Sequence, residues 1–241
     1  MIKLFLGNIG SGKTLSAVIE ITKSNKTTYS NIITKSVKNN VVISPDMIYN
    51  KEIIGKKKTG EIIYNLSLNE DFWRKKGNIN VVLDEAHSLL NARNSNSKPT
   101  RIMLEFLALL RRILGSNSDE YGTLILITQL DRRLDVVARD LATQVRYHIC
   151  HYRKVCKKCG FYMDENNEMP ELIIECPVCN NKFLKKENFK IEIYLFNNIE
   201  NYQAWKYFGK ETFYRNYYLT NVEKFFDKYD TFQWDNLMLK I

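Results

Sequence analysis

Two groups of residues in this sequence have both the type and the spacing to do chemistry. The first is Gly7, Asn8, Ile9, Gly10, Ser11, Gly12, Lys13 and Thr14, a glycine-rich octet closed by an ammonium and a hydroxyl. Glycines at 7, 10 and 12 let the backbone curl so that successive N–H groups point inward, a shape that captures phosphate oxygens. A helix opening near Lys13 adds its positive end to the same place. In such a loop the lysine reaches the β- and γ-phosphates, and the hydroxyl of Thr14 ligates the Mg²⁺ that bridges them. The pattern has this meaning only between a strand and a helix; elsewhere it is a chance glycine turn. Both flanks are present, because residues 1–6 are an apolar run of strand length and residues 15–21 read as a helix. The ligand expected here is a nucleoside triphosphate, held with Mg²⁺.

The second group is Cys156, Cys159, Cys176 and Cys179, two C-x-x-C pairs separated by sixteen residues. This is zinc-ribbon spacing, in which each pair offers two thiolates to one tetrahedral ion and leaves no position open for water. Gly160 and Asn180 follow the pairs and permit the tight turns. Two disulfides are the competing reading, and a chain without a secretion signal favours the metal. Cys150, near His148 and His151, stands outside the pattern and reads as a sheet residue, since four thiolates already complete the shell.

Hydrolysis needs more than a phosphate loop. The apolar run 79–83 reads as a buried strand, and Asp84 and Glu85 follow it, Asp84 lying 71 residues after Lys13. Open α/β sheets place ligands at that end of a strand. Asp84 is expected to hold the Mg²⁺ shell and Glu85 to orient and deprotonate the attacking water. The alternative is that the pair merely caps the next helix. Gln129 ends a second buried strand, 123–129, where a side-chain amide can touch the γ-phosphate or the lytic water; otherwise it is a solvated strand end. Arg111 and Arg112 end a long helical pattern at 101–114, and Arg132, Arg133 and Arg139 follow. One arginine reaching a neighbouring subunit would stabilise transition-state charge. Arg111 and Arg112 could instead only complement their helix end.

The elements that must position these groups follow from pattern. Residues 27–33 and 41–44 are β-rich, 51–60 is a basic exposed turn, and 69–76 is a short helix. Residues 91–100 read as a polar loop, 115–122 as a turn, 130–141 as a helix, and 144–152 and 189–196 as strands. This alternation predicts an α/β fold, a P-loop NTPase with a mainly parallel sheet flanked by helices, carrying a small inserted zinc ribbon. The expected division is a P-loop core at 1–152, the ribbon at 153–187, and a segment at 188–241 that completes the domain. That last segment is dense in aromatics up to Trp234, which read as core or subunit interface before they read as base-stacking groups. No internal repeat or low-complexity tail is present.

The 241 residues carry 36 Lys+Arg against 27 Asp+Glu, a formal charge of +9. This balance favours polyanionic partners, nucleic acid first and acidic membrane second. Basic residues crowd the ribbon (Arg153, Lys154, Lys157, Lys158, Lys182, Lys185, Lys186), as DNA contact or an intersubunit arm would require. No signal peptide and no transmembrane run is encoded, so a cytoplasmic location is expected, that of the host cell for a viral protein.

Residues 7–14, Asp84 to His87, the apolar helix ending in Arg111 and Arg112, and Ile127 to Gln129 occur in the order of additional-strand P-loop ATPases. Residues 1–150 resemble most the zonula occludens toxin-like ATPases of filamentous phages and their relatives in archaeal viruses and mobile elements, a group close to the FtsK–HerA DNA-pumping motors. The resemblance implies an ATPase motor that moves or packages DNA or drives virion assembly. It also implies a homo-oligomeric ring, such as a hexamer, and viral or mobile-element assembly partners. Phage members continue into a membrane span, whose lack here favours a soluble motor. A nucleotide-gated scaffold with slow turnover is the alternative. The string from Asp84 to His87 also invites a helicase reading, which the chain length opposes because a second motor domain would be needed.

Overall fold

The computed structural model describes residues 1–94, 96–114, 122–164, 175–181 and 184–229. The chain opens with β1 (Ile2–Leu6), the glycine loop and α1 (Lys13–Lys23), then β2 (Thr28–Ser30) and β3 (Asn40–Val42). A short α2 (Pro45–Ile48) leads into the hairpin of β4 (Tyr49–Lys56) and β5 (Ile62–Leu68), followed by α3 (Glu70–Arg74). Next come β6 (Asn80–Leu83), α4 (Ala86–Leu89), α5 (Lys98–Ile113), β7 (Leu124–Ile127) and α6 (Val136–Asp140). The last part holds β8 (Gln144–Cys156), β9 (Tyr162–Asp164), β10 (Leu184–Phe196), α7 (Ile199–Phe208) and β11 (Arg215–Leu219).

Among the described residues, eight strands lie in the order β11-β10-β8-β1-β7-β6-β2-β3, and β9 pairs with β8. The run from β8 to β3 is parallel, and β10, β11 and β9 join antiparallel. The central strand shows why. Leu4 and Leu6 point to one face and Phe5 to the other, all fully buried, which only a sheet covered on both sides provides. On one face Ala17, Val18 and Ile21 of α1 pack against Phe5, Val82, Ile125 and Ile127. On the other, Met103, Phe106, Leu107 and Leu110 of α5 meet Leu4, Leu6, Val81 and Leu126. Each of the Val, Leu, Ile, Phe and Met side chains among them contributes about 1.5–3 kcal/mol on burial, and Phe106→Ala would cost about 3–5 kcal/mol.

This is the expected α/β fold, with corrections in its connections. Residues 51–56 are not a turn but most of β4, and residues 91–100 are not one loop. A 3₁₀ turn spans Ala92–Asn94, and α5 begins at Lys98. Pro99 sits in its first turn, which its fixed φ suits, and Ser97 caps the helix by accepting from the Thr100 N–H at 3.3 Å. Residues 130–141 form two pieces, a 3₁₀ turn at Asp131–Arg133 and α6. Asp135 breaks the run by capping α6, accepting from the Val137 N–H at 2.9 Å. Of the expected turn at 115–122, only Gly122 is described.

The strands expected at 144–152 and 189–196 are longer. β8 and β10 continue antiparallel until Cys156 pairs with Leu184, and the four-cysteine cluster sits at the end of this arm. The C-terminal aromatics divide between core and surface. Tyr202 and Phe225 are buried, Trp205 packs on Tyr147, Tyr194 and Phe196, and Phe208, Tyr214 and Tyr218 are exposed. Trp234 and Lys182 lie outside the described residues.

Candidate nucleotide site and metal centre

The glycine loop leaves the carboxyl end of β1 and turns directly into α1. Gly7 has φ 147°, and a Cβ there would lie 2.6 Å from the His148 carbonyl oxygen, so no side chain fits. Gly12 has φ 86° and Ile191 of β10 fills the place of its missing side chain, with Cδ1 2.5 Å from a would-be Cβ. Lys13 folds back over the loop and donates from Nζ to the carbonyls of Gly7 at 3.0 Å and Asn8 at 2.8 Å. Burial lowers its pKa, and the charges of Asp84 and Glu85 oppose that shift.

Across the cleft, β6 ends at Leu83 and delivers Asp84. The Thr14 hydroxyl donates to Asp84 Oδ2 at 2.8 Å, and the Glu85 N–H donates to Oδ1 at 2.8 Å. Octahedral Mg²⁺ with oxygens at about 2.0–2.1 Å sets neighbouring ligands about 2.9 Å apart. The hydroxyl–carboxylate pair fits that spacing. Burial raises the Asp84 pKa, and the hydrogen bonds from Thr14 and Glu85 pull it back.

Glu85 has φ 50°, a left-handed backbone that a non-glycine residue adopts at a local cost. It stands at the cap position of α4, yet its side chain makes no capping bond. Its carboxylate instead accepts from Gln129 Nε2 at 3.2 Å and pairs with His87 Nδ1 at 3.2 Å. The Thr128 hydroxyl also lies 3.2 Å from His87 Nδ1. Residues from the ends of β6 and β7 thus converge on one carboxylate.

These groups line one cleft of about 700 Å³, which also takes in Asn31, Arg133 and residues of the C-terminal segment. Asn31 and His87 had no site role assigned from sequence, whereas Arg133 stood among the candidate arginines. Arg111 and Arg112 are not brought to this chain's cleft. They are exposed in the last turn of α5, after which Leu114 packs against Gly122 at the amino end of β7. The glycine loop lies at the opposite, carboxyl edge of the sheet. Arg132 stacks its guanidinium 4.6 Å from the Tyr207 ring centre, and Arg139 buries an Nε that has no hydrogen-bond partner.

The thiol sulfurs of Cys156, Cys159, Cys176 and Cys179 lie within 4.8 Å of one another. Cys156 and Cys179 are 3.5 Å apart and Cys159 and Cys176 3.6 Å apart. Zinc–sulfur bonds of about 2.3 Å place tetrahedral sulfurs about 3.8 Å apart, so the cluster fits one Zn²⁺ with a closed shell. Two matching turns build it: Gly160 N–H donates to Cys156 O at 2.9 Å, and Asn180 N–H donates to Cys176 O at 2.8 Å. Gly160 (φ 73°) and Asn180 (φ 54°) are both left-handed, as those turns demand. The Cys156 thiol is lowered to about 6, first by the Cys159 backbone N–H. Cys150, on β8, lines the nucleotide cleft and is no part of the cluster.

With β7 inserted between the loop strand β1 and the carboxylate strand β6, the architecture is that of an additional-strand P-loop NTPase domain. The sequence profile of zonular occludens toxin (Zot) matches residues 1–156, and the chain belongs to that family. Among solved structures it is similar to the N-terminal domain of zonular occludens toxin from Neisseria meningitidis. That match has 17% identity and a TM-score of 0.47, and covers 95% of this chain and 98% of that one. It is also similar to the genome packaging NTPase B204 from Sulfolobus turreted icosahedral virus 2 in complex with ATP-gammaS. There the identity is 12% and the TM-score 0.37, covering 61% of this chain and 74% of that one. No curated protein sequence matches the chain. Among the described residues, no helix is long and apolar enough to cross a membrane.

Proposed function

We propose that this protein is a Mg²⁺-dependent ATPase, working as an oligomeric motor of a virus or mobile element that moves DNA or drives virion assembly. The observation that carries the enzyme reading is the 2.8 Å contact between the Thr14 hydroxyl and the Asp84 carboxylate, beside a Glu85 carboxylate held by Gln129. Thr14 and Asp84 would hold Mg²⁺, which would supply positive charge against the developing negative charge of the phosphates. Lys13 would exchange its two loop carbonyls for phosphate oxygens. Glu85, oriented by Gln129 and His87, would take the proton of the attacking water, and Gln129 would register the γ-phosphate.

The motor reading draws on the charge of +9 and on the split location of the arginines. A head-to-tail ring brings the far face of one subunit to the cleft of the next, so Arg111 or Arg112 could act there in trans while Arg133 acts in its own cleft. We divide the chain functionally into the core 1–152, the ribbon 153–187 and the completing segment 188–241. Turnover of ATP measured with and without Mg²⁺ and duplex DNA tests the reading. Lys13→Ala should lose nucleotide binding. Glu85→Gln should bind and turn over about 10²–10⁴-fold more slowly. Wild-type turnover in Glu85→Gln would reject Glu85 as the base, and turnover indifferent to DNA would replace the motor by a nucleotide-gated scaffold.

A further inference from the structure

We propose that the C-terminal segment from Val222 to Tyr229 forms the base-binding wall of the nucleotide cleft, with Phe226 as the face on which a purine ring stacks. This rests on the nucleotide reading of the site. The cleft has two chemically different ends. Thr14 with Asp84 and Glu85 with Gln129 are joined by hydrogen bonds on the polar side, while Leu15, Ile191 and Val222 pack together in one apolar cluster, and Phe226 also lines the cleft. The phosphate-binding N–H groups run along the loop into the first turn of α1. A triphosphate whose γ end lies by Asp84 and Glu85 therefore leaves the loop near Leu15, and the rest of the nucleotide enters the apolar end.

The wall there is anchored, not loose. Val222–Lys228 is a 3₁₀ helix with three residues per turn, so side chains at i and i+3 fall on one line. Val222 and Phe225 form one such line and are buried with Leu15, Ile19 and Ile191 against α1. Phe226 falls off that line, Tyr229 follows the helix in extended backbone, and both border the cleft. Phe226 keeps 43% of its surface exposed although its neighbour Phe225 keeps only 9%. At its far end the segment is tied to the stretch after β2, where Tyr229 bridges Thr34. A partly exposed aromatic ring bordering a cleft that also holds Leu15, Ile191 and Val222 suits a purine, which gains affinity by stacking. None of these wall residues lies within the part of the chain that matches the Zot profile, residues 1–156.

The test compares two probes on the full chain, Mg²⁺·ATP and Mg²⁺·tripolyphosphate, which share the phosphates and differ in the base. Phe226→Ala should weaken ATP binding by about 5- to 100-fold and leave tripolyphosphate binding unchanged, while Phe226→Trp should keep both. Equal losses for the two probes, or no loss for ATP, would overturn the wall while leaving the phosphate site intact. A wild-type chain that binds neither probe would overturn the nucleotide site and the wall together. Lys13→Ala separates the cases further, since it should weaken both probes alike.

Discussion

Asn31 grips the backbone of Asp84 from both sides: its amide donates to the Asp84 carbonyl at 2.8 Å, and its side-chain oxygen accepts from the Asp84 N–H at 2.6 Å. The β2–β6 pairing ends at Ser30 and Val82, one residue before Asn31 and two before Asp84. The asparagine side chain therefore continues the ladder past the strands and holds Asp84 where the sheet no longer can.

Asn31→Ala should accordingly damage two properties at once. It strips two backbone groups of their partners, at a cost of about 1–3 kcal/mol each if they stay dry. It also frees Asp84 to drift from Thr14. Urea unfolding should show the lost stability, and a titration of nucleotide binding against Mg²⁺ should shift to higher concentration. A variant with wild-type unfolding and wild-type Mg²⁺ dependence would remove this role.

The raised pKa of Asp84, caused first by burial, gives the proposed Mg²⁺ site a pH dependence of definite sign. In the folded protein without ligands, Asp84 retains a proton that the unfolded chain has already released. Stability from this group therefore falls as pH rises from the ordinary carboxylate value of 3.8 through the raised one. Mg²⁺ competes with that proton, so acidification should weaken Mg²⁺ binding starting at a higher pH than for an exposed aspartate. Thermal shifts with and without Mg²⁺ across this range should show the loss, and Asp84→Asn should flatten it. A Mg²⁺ effect that stays constant into the ordinary carboxylate range would contradict the assignment.

The cysteine cluster should hold one Zn²⁺ per chain. Four thiolates this close repel one another strongly without a cation, so the turns around Cys156 and Cys176 depend on the metal. Cys176→Ser or chelation should raise amide exchange at residues 156–160 and 175–181. The cleft should keep its nucleotide affinity, since none of its lining residues lies in those turns. Elemental analysis that finds reduced thiols and no zinc would refute the site.

His148 sits on β8 beneath the glycine loop, fully buried, with Nδ1 3.2 Å from the carbonyl oxygen of Leu6 and Nε2 without a partner. Burial lowers its pKa from 6.5 to about 3. The folded state thus binds fewer protons than the unfolded chain, and stability falls as pH drops from 6.5 towards 3. His148→Asn removes the titration and can keep a donor near the Leu6 carbonyl. Its unfolding midpoint should be less sensitive to acid than that of wild type; an unchanged slope would mean that other groups set the acid limit.

How much of this was legible in the sequence depends on the distance over which each feature is encoded. The glycine octet and the cysteine pairs are local patterns whose spacing is their geometry, so the residues quoted from sequence are the ones the fold assembles. Glu85 and Gln129 were readable because both end apolar strands. Asn31 was not, because its partner lies 53 residues away and only the β2–β6 pairing brings them together. The 51–56 stretch misled through its lysines, which hide a strand whose Ile53 and Ile54 are both 62% exposed. Phe226 was one aromatic among many, and only the 3₁₀ phase separates it from the buried Phe225.

The long strand β8 ties the two chemical centres into one mechanical part. It runs without a break past His148 under the glycine loop and Cys150 in the cleft to Cys156 in the cysteine cluster. Six residues of strand from Cys150 to Cys156 span about 20 Å. Over that length a tilt of about 5° at the root displaces the tip by about 2 Å. Its partner β10 shifts register between Glu187 and Lys190, which gives the pair a local bend along the way. The arm is thus a cantilever clamped beside the phosphate loop, and a small rearrangement at its root becomes a stroke of atomic size at its end.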